Sequence, residues 1–360
     1  MRRALAVFGL LAIVFSASHP ASAQSASTSP PASPRPESPP ASATSGLIES
    51  APSGAAAIPG GCDRICLTGI LEQYLGALAR HQPTGAPLAS NLKFTENTVK
   101  IPVGEGLWLG VTEAATTFRL SAIDASTGQI GFYGLLKAWG TPALVTIRLK
   151  VENSKITEAE HIVVRQLRPA AMPNLITPRA GLIEDVAPRE RNSREAMTHI
   201  ALSYFDAIEQ DKGGLAPFAD ECERHENGLQ TTTNKAPPPL PPGSGPGSLA
   251  EAVGKISMLG CKAGIDSGVL SYITRVEPRR ILVVDEQKGL VFAFPMFVHR
   301  GDKQYIEIKG VPGVDRLPTS GLGASNLMAG EIFKIRNLKI YEIEAMGLLL
   351  PYMSGTGWEN

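Results

Sequence analysis

The sequence predicts an α+β protein built from two similar halves in tandem. Three observations predict it. Shifted by 130 residues against itself, the chain aligns without a gap: Ile70, Tyr74, Ala77, Pro87, Ala89, Glu96 and Asn97 meet Ile200, Tyr204, Ala207, Pro217, Ala219, Glu226 and Asn227. At a shift of 184, Lys150, Asn153, Lys155, Ile156, Glu158 and Glu160 meet Lys334, Asn337, Lys339, Ile340, Glu342 and Glu344. Each half also opens with apolar residues at helical spacing and continues with strand-forming runs. Two colinear blocks point to a duplication, and a helix followed by antiparallel strands is the α+β order.

The N-terminus reads as an address. Arg2 and Arg3 precede a mostly apolar run over Ala4–Ala17, too short to span a bilayer, and Ala21-Ser22-Ala23 is a small-x-small cleavage pattern. Residues 1–23 are therefore expected to be a signal peptide, cleaved near Ala23, with export to a periplasm or beyond. Residues 24–61 contain 8 Pro, 9 Ser, 8 Ala and 4 Gly, too little apolar bulk to offset the ordering entropy, so a flexible linker is expected there. No later run is long and apolar enough to cross a membrane, so no membrane insertion is expected.

The folded part is expected as domain 1 over 62–168 and domain 2 over 190–358. In domain 1, Leu67, Ile70, Leu71, Tyr74, Leu75 and Leu78 predict an amphipathic helix over 64–80; in domain 2, Met197, Ile200, Ala201, Tyr204, Phe205 and Ile208 predict its counterpart. Strands are expected near 91–96 and 221–226. Further strands are expected at 117–123, 129–137, 143–152 and 156–166, and then at 269–276, 280–285, 289–298, 303–308, 328–336 and 339–349. Domain 2 adds a helix at 248–259. Its extra length includes Ala236–Gly247, with six prolines, and the Gly-rich Gly310–Gly323. Both are expected to be surface loops.

Charge and motif content exclude several classes. The 34 Lys+Arg balance the 34 Asp+Glu, so no nucleic-acid surface is indicated. The six His stand apart, with no zinc-type spacing, and no metal or other cofactor is expected. Nucleophile-elbow, dinucleotide and phosphate-loop motifs are absent. Four Cys in an exported chain favour disulfides, and three pairings are possible. One of them joins Cys222 to Cys261 across a 38-residue loop and Cys62 to Cys66 ahead of the first helix.

Leu71-Glu72-Gln73-Tyr74-Leu75-Gly76-Ala77-Leu78, Pro87-Leu88-Ala89 and Phe94-Thr95-Glu96-Asn97 resemble the start of an NTF2-like domain, the superfamily of SnoaL-like cyclases and ketosteroid isomerases. Cys62–Leu67, Gly104-Glu105-Gly106-Leu107-Trp108, Arg279–Glu286 and Lys339–Glu344 resemble an uncharacterised secreted family with tandem SnoaL-like halves. The resemblance covers about 62–358. It implies two cones, each a curved antiparallel sheet wrapped around helices with an apolar pocket inside, packed sheet to sheet as a pseudo-dimer within one chain.

The candidate site residues follow. Phe94 and Glu96 share one face of a strand, so a Phe94 that points inward brings Glu96 with it. A carboxylate in an apolar pocket has its pKa raised and can serve as acid or base. The resemblance adds a helix tyrosine as hydrogen-bond donor, which falls on Tyr74 and Tyr204. The pairs Tyr74–Glu96 and Tyr204–Glu226 are the candidate catalytic groups, with Asn97, Asn227, Phe94 and Trp108 as pocket residues. Tyr74 and Tyr204 also lie on the apolar stripe, which suits a core role equally. Arg224 shares a face with Glu226, which suggests an ion pair. No second acidic donor is evident on a later strand. The expected function is cofactor-independent lyase, isomerase or hydrolase chemistry on a small apolar molecule. The alternatives are a ligand-binding or protein-interaction module without catalysis.

Overall fold

The computed structural model describes residues 61–319, 321 and 323–359. The expected signal peptide and almost all of the linker lie outside the described residues. The first half begins with helix α1 (Arg64–Ala79), then β1 (Leu88–Glu96), β2 (Val99–Lys100), a one-turn α2 (Leu107–Gly110), β3 (Val111–Glu113), β4 (Arg119–Asp124), β5 (Gln129–Ala138), β6 (Thr141–Glu152) and β7 (Lys155–Val164). A connector carrying the short α3 (Ala180–Ile183) leads to the second half. There follow α4 (Arg194–Gln210), β8 (Phe218–Glu226), β9 (Leu229–Gln230), α5 (Leu249–Ile256), α6 (Cys261–Asp266), β10 (Arg275–Asp285) and β11 (Leu290–His299). The chain ends with β12 (Tyr305–Glu307), β13 (Arg316–Pro318), β14 (Ser325–Arg336) and β15 (Lys339–Pro351).

The long helices start where their sequences provide caps. The Asp63 carboxylate accepts from Cys66 N–H at 2.8 Å, and the Ser193 hydroxyl accepts from Ala196 N–H at 3.3 Å. Helix α1 buries Leu67, Ile70, Leu71, Tyr74, Ala77 and Leu78. Helix α4 buries Met197, Ile200, Ala201, Tyr204, Phe205, Ala207 and Ile208, then stops where Asp211 takes a left-handed φ of 50°.

The two main sheets share one strand plan. The first runs β2-β1-β7-β6-β5-β3, with β4 also on β5; the second runs β10-β11-β14-β15-β8-β9. In both, the strand after the long helix pairs parallel with the last long strand, β1 with β7 and β8 with β15, while every other pairing is antiparallel. Alternation along each strand gives each sheet an inner and an outer face. The inner faces pack on α1 and on α4 as separate cores. The outer faces form a third core, with Leu120, Tyr133, Leu144 and Ile162 against Phe292, Phe294, Met328 and Met346. Glycine permits this approach. A Cβ on Gly131 would lie 2.6 Å from the Phe292 ring, and one on Gly330 would lie 2.5 Å from the Thr146 hydroxyl.

Ion pairs cross between the sheets. Glu160 on β7 receives Arg280 of β10 at 2.6 Å, beside Arg148 of its own sheet at 3.1 Å, and Asp285 on β10 receives Arg64 of α1 at 2.8 Å. Lys93 and Arg148 both lie over the Trp358 ring, 4.3 and 4.5 Å from its centroid, and the indole N–H donates to the Thr95 hydroxyl. The C-terminus thereby clasps the first sheet.

Several expected elements differ from those observed. Residues 269–274 form turns rather than a strand, because Gly268, with φ of 80°, reverses the chain and Val269, Leu270, Tyr272 and Ile273 fold inward as a plug. Strand β10 then runs unbroken through 275–285. The stretch 310–323 is not all surface loop: it contributes β13 and buries Val311, Val314 and Leu317. The helix expected over 248–259 ends at Ile256, and α6 follows. The Pro-rich stretch 236–247 carries no regular element and is mostly exposed.

Both disulfides of the within-half pairing are formed, Cys62–Cys66 and Cys222–Cys261. Cys62 precedes the N-cap of α1, so that bridge does not lie inside a regular helix. Cys222–Cys261 joins β8 to the start of α6. Two disulfides suit an oxidising compartment and suggest an extracellular location. Among the described residues no helix is long and apolar enough to cross a membrane.

Candidate functional site

In the first half, β1 and α1 bring Tyr74 and Glu96 to opposite sides of one histidine. The Tyr74 hydroxyl meets His161 Nε2 at 2.8 Å, and His161 Nδ1 lies 3.6 Å from Glu96 Oε2. With Nδ1–H turned to the carboxylate, Nε2 is free to accept the tyrosine proton. Phe94 and Trp108 close the cluster: Phe94 packs edge-on to His161 at 4.9 Å and Trp108 edge-on to Tyr74 at 5.2 Å. The Trp108 indole N–H and His161 Nδ1 have no hydrogen-bond partner.

The loop before α2 packs closely on this cluster. Glu96 Oε2 accepts Leu107 N–H at 2.7 Å, and Gly106 sits so close that a Cβ there would lie 2.6 Å from Glu96 Oε1. Burial pushes the Tyr74 hydroxyl well above its usual pKa, with Trp108 acting against the shift and Glu96 adding to it. Tyr74, Phe94 and Trp108 thus belong to the core of the first half, with the 13 % exposed Glu96 side chain at its edge.

Asn97 and Asn227 lie elsewhere. Each takes a left-handed turn, φ of 49° and 46°, and reaches across to the parallel neighbouring strand. Asn97 Oδ1 accepts Val163 N–H at 2.8 Å, and Asn227 Oδ1 accepts Gly347 N–H at 3.1 Å. They fasten β1 to β7 and β8 to β15.

The second half uses the same positions differently. Where the first half has Phe94, the second has Arg224. Its Nη1 donates to Glu226 Oε2 at 3.0 Å, and its Nε donates to the Tyr204 hydroxyl at 3.0 Å. The strand registers extend the correspondence. Ile147 pairs with His161 across β6 and β7, and at the equivalent place Glu331 pairs with Ala345 across β14 and β15. The polar group has moved one strand over.

Small residues follow it. Ala345 stands for His161, Ala329 for Val145 and Gly347 for Val163. These three border a hollow together with Arg224, Glu226 and Glu331, and Ile208, Leu270, Ile273 and Phe297 complete its apolar wall. The free space is about that of one water molecule.

Glu331 is the unusual group. It is 1 % exposed, and neither carboxylate oxygen has a hydrogen-bond partner. Arg224 Nη2 approaches no closer than 3.8 Å. Burial pushes the carboxyl up to about 7, with Arg224 and the nearby Tyr204 hydroxyl, outside close hydrogen-bond geometry, acting the other way. Burial also raises Glu226, against the pull of Arg224. The two carboxyls differ: Glu226 is hydrogen-bonded by the Arg224 guanidinium, and Glu331 has only a longer ion pair with it and lies beside a cavity.

Sequence reasoning missed two of these residues. His161 reads as an isolated histidine until β7 is set beside β1. Glu331 carried a usable signal: Leu327, Ala329 and Phe333 alternate on one face of β14, and Glu331 occupies the same face. A charged residue at an inward position of an apolar strand marks a buried carboxyl. Among the described residues no group of His, Cys, Asp and Glu has metal-binding geometry.

A family profile described as "Domain of unknown function (DUF8021)" matches residues 190–347. The match falls on the second half, and every residue bordering the Glu331 hollow lies within it. No curated protein matches the chain.

Proposed function

We propose that the second half is the working half of an exported protein, and that its hollow admits one small group of a compact, largely apolar molecule beside Glu331. Arg224 and Glu226 orient a polar group of that molecule, and Glu331 exchanges a proton with it. The reaction class is cofactor-independent proton transfer, as in isomerisation, elimination or ring opening. The observation that carries this reading is a fully buried carboxyl without a hydrogen-bond partner at an apolar hollow. A buried polar group of that kind costs stability unless a hydrogen-bonding partner satisfies it, and a bound ligand group is one such partner.

The shared strand plan supports a tandem duplication of an NTF2-like unit, and the packed outer faces support a pseudo-dimer within one chain. On this reading the first half has filled its pocket with His161, Phe94 and Trp108 and serves as the supporting partner.

Incubating the protein with a small-molecule extract and following depletion by mass spectrometry tests the reading. Wild type should deplete a compound that Glu331→Gln leaves untouched, while Glu96→Gln behaves like wild type. If depletion is unaffected by Glu331→Gln, or fails instead in Glu96→Gln, the second-half assignment is wrong.

A further inference from the structure

A second hollow lies farther along the same inner face. Phe297 and His299 alternate on β11, and Leu327 and Ser325 on the facing strand β14, so the two hollows are one side-chain repeat apart. This pit is bordered by Tyr272, His299, Gly301, Asp302, Lys303 and Thr319, and its free space is again about that of one water.

Two buried polar atoms at the pit lack partners. Tyr272 is 6 % and His299 3 % exposed, and neither the Tyr272 hydroxyl nor His299 Nε2 has a hydrogen bond. Their rings pack edge-on at 5.1 Å. The histidine tautomer follows from its other nitrogen. The Ser325 hydroxyl donates to Gly323 C=O at 3.1 Å, so at 3.2 Å it accepts from His299 Nδ1–H. Nε2 therefore presents a lone pair. Burial holds the ring down to about 4, so it stays neutral near pH 7.

We propose that this pit is a second binding site, which takes a hydroxyl group of a compact polyol or sugar. A hydroxyl, like water, can donate to His299 Nε2 while accepting from the Tyr272 O–H. Asp302 and Lys303 stand at the exposed rim, where the ligand's further hydroxyls meet a carboxylate acceptor and an ammonium donor. Lys303 is held there by the Ser271 carbonyl, and its own carbonyl is held by the Thr319 hydroxyl. The site does not depend on the chemistry proposed for Glu331.

Titration of the 15N-histidine-labelled protein tests it, with the His299 signal assigned by its loss in His299→Gln. Glycerol should shift the His299 Nε2 resonance saturably. 1,2-Dimethoxyethane, which accepts but cannot donate, should not. Tyr272→Phe keeps the ring and should weaken glycerol binding at least tenfold, and Asp302→Ala at the rim should weaken it several-fold. Glu331→Gln should leave it unchanged. A shift that never saturates, an equal response to the ether, or a Kd unaltered in both Tyr272→Phe and Asp302→Ala would mean that the pit holds only water.

Discussion

Glu331 links the hollow to pH. Its carboxyl is raised to about 7 from an ordinary 4.5, so the folded state favours the protonated form. That contribution is whole below about 4.5 and is lost as pH rises through about 7. His299 acts in the opposite direction: lowered from 6.5 to about 4, its contribution is whole above about 6.5 and is lost as pH falls through about 4. Urea unfolding of Glu331→Gln from pH 4 to 8 should therefore show a high-pH decline smaller than that of wild type by a few kcal/mol, the remainder coming from Glu226 and Glu344, and keep the low-pH one. Arg224→Met should cost about 3–5 kcal/mol in the same assay, because it strands Glu226 as a buried unpaired charge. Ala329→Val installs the residue that the first half carries as Val145. It should abolish ligand binding while changing stability by about 1 kcal/mol or less, since it fills space instead of displacing neighbours. These residues were unequally legible in the sequence. The Arg224–Glu226 pair follows from period-2 parity alone. Tyr74–His161 does not, because it depends on a parallel pairing between strands 65 residues apart, Glu96 with His161.

At the scale of elements, the long helices and most long strands were legible because their apolar periodicity is strong and their ends carry caps. The plug at 269–274 was not. Its apolar composition resembles a buried strand, and only the reversal at Gly268 separates the two. The Gly-rich stretch misled in the opposite direction, since its glycines conceal Val311, Val314 and Leu317, spaced as inward anchors. The disulfides also act at this scale. Cys222–Cys261 closes a sequence separation of 39 and Cys62–Cys66 one of 4. By loop-closure entropy the first contributes about 4 kcal/mol and the second about 2. Replacing Cys222 and Cys261 together by Ala should thus lower the denaturation midpoint about twice as far as replacing Cys62 and Cys66. Equal losses would mean that native-state geometry, rather than loop length, sets the difference.

Across the whole molecule, the two sheets meet through an apolar layer that glycines keep thin. Gly131→Ala should drive a methyl group into the Phe292 ring and cost about 1–3 kcal/mol, with both halves unfolding earlier in one transition, read by near-ultraviolet dichroism. The self-similarity of the sequence made the doubling of the strand plan legible. It did not reveal the asymmetry, because a few exchanges decide it: His161 against Ala345, Val163 against Gly347, Ile147 against Glu331, Phe94 against Arg224. The central claim is that the second half holds a buried acid with a strongly raised pKa at a small cavity. Carboxyl 13C NMR titration of Glu-labelled protein, with Glu331→Gln for assignment, tests it most directly. The account predicts one carboxyl titrating near pH 7 in wild type and missing in the variant. A Glu331 carboxyl that titrates near 4.5 would contradict it.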